Sequence, residues 1–182
     1  MPATARRWTA DDVRALPADR NRYEVIEGEL YVTPAPTFRH QDALGVLHFA
    51  MSLYLRDNPI GMVLFAPTDV EFESESMVQP DLFVLPLVEG RKPRSVKEAE
   101  GLLLAVEVLS PSTARLDRHL KRRLYQRFGV VEYWIVDLDA RVVERWLQSE
   151  ERPEIVTDEL SWHPPGAVHP FVLPLPGFFE VL

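Results

Sequence analysis

Residues 101–110, Gly-Leu-Leu-Leu-Ala-Val-Glu-Val-Leu-Ser, constrain the fold more than any other stretch of the chain. A run this short and this continuously apolar suits a central β-strand covered on both faces. It therefore calls for a layered architecture that covers the strand on both sides. Glu107 interrupts the run. A buried carboxylate without a partner costs several kcal/mol, so its pKa must rise or a cation must compensate it. The plainer alternative is an acid at the sheet rim, paired with an arginine or facing water.

The rest of the chain supplies the layers. Thr9 has the character of an N-cap, followed by Asp11 and Asp12 in the first turn of a short helix to about Leu16. Residues 22–33 read as two strands around a Glu27-Gly28 turn. Thr37 caps a long helix to about Arg56, with Leu44, Leu47, Met51 and Leu55 at helical spacing. Strand-like segments follow at 62–72 and 78–86, then a charged loop to about residue 100. Pro111-Ser112-Thr113 starts a helix that Gly129 stops, with Ser112 or Thr113 as its cap. Glu132–Asp137 and Arg141–Leu147 read as two more strands around Leu138-Asp139-Ala140. This order predicts an α/β (α+β) fold, a mixed β-sheet flanked by helices. The 182 residues suit one domain over 1–182, with an N-terminal helix and hairpin and a Pro-rich C-terminal extension. Residues 170–182 are too apolar to be left in water. They either close the core or cover a subunit interface, as in a homodimer or higher homo-oligomer.

Composition removes some functions. Cysteine is absent, which excludes disulfides and thiolate zinc sites and fits a reducing cytoplasm. The first eight residues carry no apolar stretch of a signal sequence, and no run approaches a membrane span. The formal net charge of −8 argues against a non-specific nucleic-acid coat. Half of the basic residues nevertheless fall in two segments, 91–97 and 115–127. A locally basic surface on an acidic body can still steer phosphate. Only three positions hold lysine, Lys92, Lys97 and Lys121, which makes each of them worth examining.

Asp81 is a second carboxylate entering apolar sequence, between Pro80 and Leu82-Phe83-Val84-Leu85. Pro80 removes a backbone donor and suggests an edge or a bulge there, although Asp81 can also be a turn cap. Two carboxylates on neighbouring strands can share one Mg²⁺ or Mn²⁺ through oxygen ligands. On the helix after Thr113, Leu116, Leu120, Leu124 and Phe128 form the expected buried stripe. Asp117, Lys121 and Tyr125 lie along one flank of it, and Arg118, His119, Arg122 and Arg123 on the more exposed side. Lys121 then has a partly covered stem and an ammonium able to reach the strand ends. Such a group positions water or offsets charge on phosphorus. Its plain reading is a weak helix pair with Asp117. Arg115, Arg118 and Arg122 are candidate nucleic-acid contacts. Other signals fail: Ser110-Pro111-Ser112 lacks the glycines of a nucleophile elbow. No P-loop or dinucleotide fingerprint occurs, and His163 and His169 have no zinc spacing.

Pro80-Asp81, the block Glu107-Val108-Leu109-Ser110-Pro111-Ser112-Thr113, Asp117, Lys121 to Tyr125, Gly129-Val130 and Glu132 to Asp137 together resemble the Uma-type family of restriction-endonuclease-like proteins. That family lies within the PD-(D/E)XK nuclease superfamily, and the resemblance spans roughly residues 20–148. It implies a metal-dependent phosphodiesterase core acting on DNA, with Asp81 and Glu107 in the acidic positions and Mg²⁺ or Mn²⁺ as cofactor. The superfamily lysine normally stands two residues after the second acid, where this chain has Leu109. The resemblance therefore implies that Lys121 takes its place from the next helix. Tyr23-Glu24 and His40 also match the family, and Glu24 or His40 would support a metal water or phosphate. The displaced lysine and the negative net charge keep an alternative open: a catalytically silent module that binds nucleic acid or protein.

Overall fold

The computed structural model describes residues 6–19 and 21–182; residues 1–5, part of the segment read above for a targeting signal, and residue 20 lie outside the described residues. Helix α1 (Ala10–Arg14) opens on a capping box in which Thr9 and Asp12 satisfy each other's backbone N–H groups. Strands β1 (Arg22–Ile26) and β2 (Glu29–Thr33) form the expected hairpin. Its turn places Glu27 and Gly28 at φ 51° and 81°, which the glycine tolerates without strain. Helix α2 (Phe38–Asp57) starts where the Thr37 side chain accepts from the His40 N–H.

The strand-like segments at 62–72 and 78–86 are each shared between two sheets. The first becomes β3 (Gly61–Phe65) and β4 (Val70–Glu73), and the second β5 (Ser76–Val78) and β6 (Leu82–Pro86). Strands β2, β1, β5 and β4 form a four-stranded sheet in that order. Pro80 thus marks the passage from one sheet to another. It lies at neither an edge nor a bulge, because β6 runs inside the larger sheet. The charged loop holds a short helix, α3 (Val96–Ala99). The apolar run forms β7 (Leu104–Val108), and β8 (Glu132–Asp137), β9 (Val142–Leu147) and β10 (Glu154–Val156) follow. The larger sheet has the order β10-β9-β8-β7-β6-β3, with β7 parallel to β8 and antiparallel to β6. Every residue of β7 is buried, as expected of a central strand.

Strand alternation sends successive side chains to opposite faces. Leu82, Val84, Leu104, Val106, Val108, Trp134 and Val136 pack on one face with Leu44, Leu47 and Met51 of α2. The C-terminal segment closes that core: β11 (Glu159–Trp162) pairs with β12 (Phe171–Pro174), and α5 (Leu175–Glu180) buries Leu175, Phe178 and Phe179. Of the two fates predicted for the tail, it takes the first. Phe83, Leu85, Ala105, Tyr133 and Ile135 point to the other face, against Ile26, Val70 and Val78 of the smaller sheet and against Leu116, Leu124 and Tyr125.

The helix after β7 departs from the expected geometry. Leu116–Lys121 is π-helical and runs into α4 (Arg122–Arg127); the Arg122 N–H donates to the Asp117 carbonyl five residues back. The wider turn changes which side chains face inward. Leu116 and Leu124 are buried, but Leu120 and Phe128 are only half-buried. Asp117, Lys121 and Tyr125, expected on the flank, are each about 1% exposed. Lys121 is fully enclosed, with more than its stem covered.

Candidate functional site

A cleft of about 440 Å³ opens between the two sheets, and its lining includes Arg22, Glu24, His40, Asp81, Glu107 and Lys121. Asp81 and Glu107 reach it from neighbouring strand ends. Residue parity sends both to the same face of the larger sheet, with Phe83 and Ala105. Asp81 precedes β6, and its Oδ2 accepts the Val108 N–H at 2.8 Å, which ties it to the strand that carries Glu107.

Lys121 is the hub. Its Nζ donates to Glu107 Oε1 at 2.9 Å, lies 2.9 Å from Glu24 Oε1 and 3.7 Å from Asp117 Oδ1. The pair with Asp117 predicted as the plain alternative is present, and it is the longest of the three. Tyr125 also donates its hydroxyl to Glu107 Oε1, at 2.9 Å. Glu24 is fixed from β1 by the Gln79 N–H at 2.7 Å. His40 approaches from the first turn of α2, its Nε2 3.0 Å from Asp81 Oδ2.

Arg22 was not anticipated. Its Nη1 lies 2.9 Å from Asp81 Oδ1 but aims its hydrogen at the Gln79 carbonyl, leaving that buried oxygen without an aligned donor. One sequence signal was available: Arg22 and Glu24 alternate on one face of β1.

The electrostatics follow from burial. Desolvation alone would raise the Asp81 carboxyl; the His40 hydrogen bond and the Arg22 charge outweigh it and lower the group to about 2. Asp81 is therefore the ionised acceptor and His40 Nε2 the donor, which leaves His40 Nδ1 buried without a partner. Burial pushes Glu107 well above its ordinary value, Lys121 pulling against it and Asp81 and Asp117 adding to it. Burial likewise lifts Asp117 to about 6 despite Lys121. Lys121 itself stays charged: the penalty of its burial is overcome by Glu107, Glu24 and Asp117. Four carboxylates thus face the two fixed cations Arg22 and Lys121, and the surplus is met by protons on the raised acids or by an added cation.

The surface arginines divide. Arg118 lines the cleft but is held by Asp137 at 2.9 Å and Glu144 at 2.6 Å. Arg122 turns away from the cleft and lies over the Trp146 ring, 4.8 Å from its centroid. Arg115 is exposed, in the helical backbone just before Leu116. The site thus brings together Glu24, His40, Asp81, Glu107, Asp117, Lys121 and Tyr125, with Arg118 at its rim and Arg122 elsewhere.

The residues suit a hard divalent cation in donor chemistry. Oxygen donors dominate, the carboxylate charge is in surplus, and the buried Oδ1 atoms of Asp81 and Asp117 lack hydrogen bonds. Among the described residues no group of three His, Asp or Glu is gathered as a ready-made metal cage. Two carboxylates with water and substrate oxygens are the usual set for Mg²⁺. No helix among the described residues is long and apolar enough to cross a membrane.

Comparison with known proteins agrees with this reading of the fold. The crystal structure of "a putative nuclease belonging to DUF820" from Anabaena variabilis superposes with a TM-score of 0.76 at 19% identity, covering 94% of this chain and 97% of the other. At that identity the likeness speaks for the fold. No curated protein matches the chain. The Uma2 family, described as "Putative restriction endonuclease", matches residues 10–176, and the chain belongs to that family.

Proposed function

We propose that the chain is a divalent-metal-dependent nuclease that hydrolyses phosphodiester bonds of DNA within the strand. The observation that carries this reading is the burial of Lys121 against Glu24, Glu107 and Asp117, on the cleft side of the strand ends that supply Asp81 and Glu107. Structural ion pairs alone do not require a surplus of acids in one buried place.

Asp81 and Glu107 would hold Mg²⁺ or Mn²⁺, which when bound supplies Lewis acidity toward a phosphoryl oxygen and a more acidic water. The protein's own groups prepare the rest. His40 and the Val108 N–H fix the Asp81 carboxylate through Oδ2, which leaves Oδ1 outside those bonds, beside Arg22. Lys121 and Tyr125 both hold Glu107 through Oε1, leaving Oε2 outside those bonds. The Lys121 ammonium also offsets negative charge that develops on the phosphoryl oxygens as water attacks in line. This is the role of the superfamily lysine, delivered from the π-helical turn.

Cleavage of supercoiled plasmid and of a labelled duplex in Mn²⁺ tests the proposal. Asp81→Ala and Glu107→Ala should each lower the rate by at least about 100-fold, the scale of removing one strong electrostatic contribution to catalysis. Unchanged cleavage in both variants would defeat the assignment. One observation favours a second reading, a silent binding module. The cations lining the cleft are already paired, Arg22 with Asp81, Arg39 with Asp139, and Arg118 with Asp137 and Glu144. Under that reading DNA binds without any Mn²⁺-dependent cleavage.

A further inference from the structure

The outward face of α2 is unusual for a helix that packs its other side on the core. At 100° per residue, Phe38, Asp42, Gly45, Phe49, Leu53 and Arg56 fall within an arc of about 80°. Phe38 is 97% exposed, Phe49 65% and Leu53 38%. Beyond Gly45 nothing lies within 4 Å of where a Cβ would stand, so the middle of this face is an open notch. Phe65 of β3, 48% exposed, packs edge-on against His48 and widens the apolar surface. Large exposed apolar side chains gathered on one face of a helix mark a surface that something covers.

We infer that a second copy of this chain covers it, through antiparallel pairing of the two α2 helices about a two-fold axis at Phe49. In that arrangement each residue meets the one equally far beyond Phe49 on the other helix, and the face becomes self-complementary, as an isologous interface requires. Asp42 falls opposite Arg56 of the partner subunit. Gly45 falls opposite Leu53 of the partner subunit, whose side chain fills the notch. The two Phe49 rings meet at the axis. Each match occurs twice by symmetry. The charges are free to make these pairs: Asp42 has no ion partner among the described residues, and Arg56 has only its exposed neighbour Asp57. A partner of different sequence would need to reproduce this order of acid, knob and base, whereas a second copy supplies it. The pairing also sets the two His40 residues, and so the two clefts, roughly 27 Å apart along the helix axes at about 1.5 Å per residue.

This inference does not rest on the nuclease reading, and its test does not measure cleavage. Sedimentation equilibrium of the full chain should show a monomer–dimer equilibrium in the micromolar range. Phe49→Asp should remove the dimer while leaving the circular dichroism spectrum unchanged. Asp42→Arg should weaken association at least tenfold, and the double variant Asp42→Arg with Arg56→Asp should restore it. A chain that stays monomeric at several hundred micromolar overturns the inference. So does a dimer that survives Phe49→Asp, or a charge-exchanged variant that fails to recover.

Discussion

The two faces of the six-stranded sheet obey different physics. One face packs Trp134, Leu104 and Val106 against α2 and the C-terminal aromatic residues Trp162, Phe171 and Phe178. Its core is apolar, and its stability grows with the area it removes from water. The other face starts from similar strands but admits four buried carboxylates and one buried lysine into its cleft, with Arg22 beside them. There, stability depends on keeping an incomplete charge balance. The second face holds an apolar cluster too, around Phe83, Tyr133, Ile135 and Leu124, and the buried charges stand beside it. On the proposed function, the second face gives up stability for a site that takes one more cation.

The largest expected effects break the two faces in different ways. Trp134→Ala should cost about 3–5 kcal/mol in urea unfolding, as expected of a large buried aromatic, and should leave Mn²⁺ affinity in the surviving native protein unchanged. Lys121→Met should cost about as much, because it strands Glu24, Glu107 and Asp117 without their shared cation. Unlike the tryptophan variant, it should regain much of that loss when Mn²⁺ is added. Equal behaviour of the two variants toward Mn²⁺ would contradict the division.

A smaller effect sharpens the comparison through pH. Asp81 has a folded pKa near 2, below its unfolded value, so its contribution is present above about pH 4 and is lost as pH falls toward 2. Asp117 has a folded pKa near 6, so the native state binds more protons than the unfolded chain between about 4 and 6, and stability falls as pH rises through that window. Urea titrations without metal should therefore give this cluster its largest contribution near pH 4. Asp117→Asn should flatten the limb between 4 and 6. A limb of the same slope in that variant would remove Asp117 as its source.

The smallest effect lies at the rim. Arg39 pairs with Asp139, which is 85% exposed, and with the Leu138 carbonyl. Arg39→Ala should change unfolding free energy by less than about 1 kcal/mol, in keeping with an exposed ion pair.

Much of this architecture was legible in the sequence for a physical reason. An apolar run interrupted by one acid has few places to go, and Glu107 in residues 101–110 led to both the central strand and the site. The caps at Thr9 and Thr37 and the turn at Gly28 are local chemistry, and they were read correctly. What escaped were long-range choices. The division of 62–72 and 78–86 between two sheets depends on tertiary pairing that no local pattern encodes. The π-turn at Leu116–Lys121 moved Asp117, Lys121 and Tyr125 from flank to interior, since a 100° periodicity presumes an α-helix. Arg22 escaped because its partner, Asp81, is remote in sequence and joined to it only by the packing of one sheet on the other.

Calorimetric titration of the metal-free protein with Mn²⁺ at pH 7 measures most directly whether residues 81 and 107 share one ion. A single binding event is expected in the wild type, lost in Asp81→Asn and, independently, in Glu107→Gln, while both variants remain folded. Binding of unchanged affinity in both would contradict it.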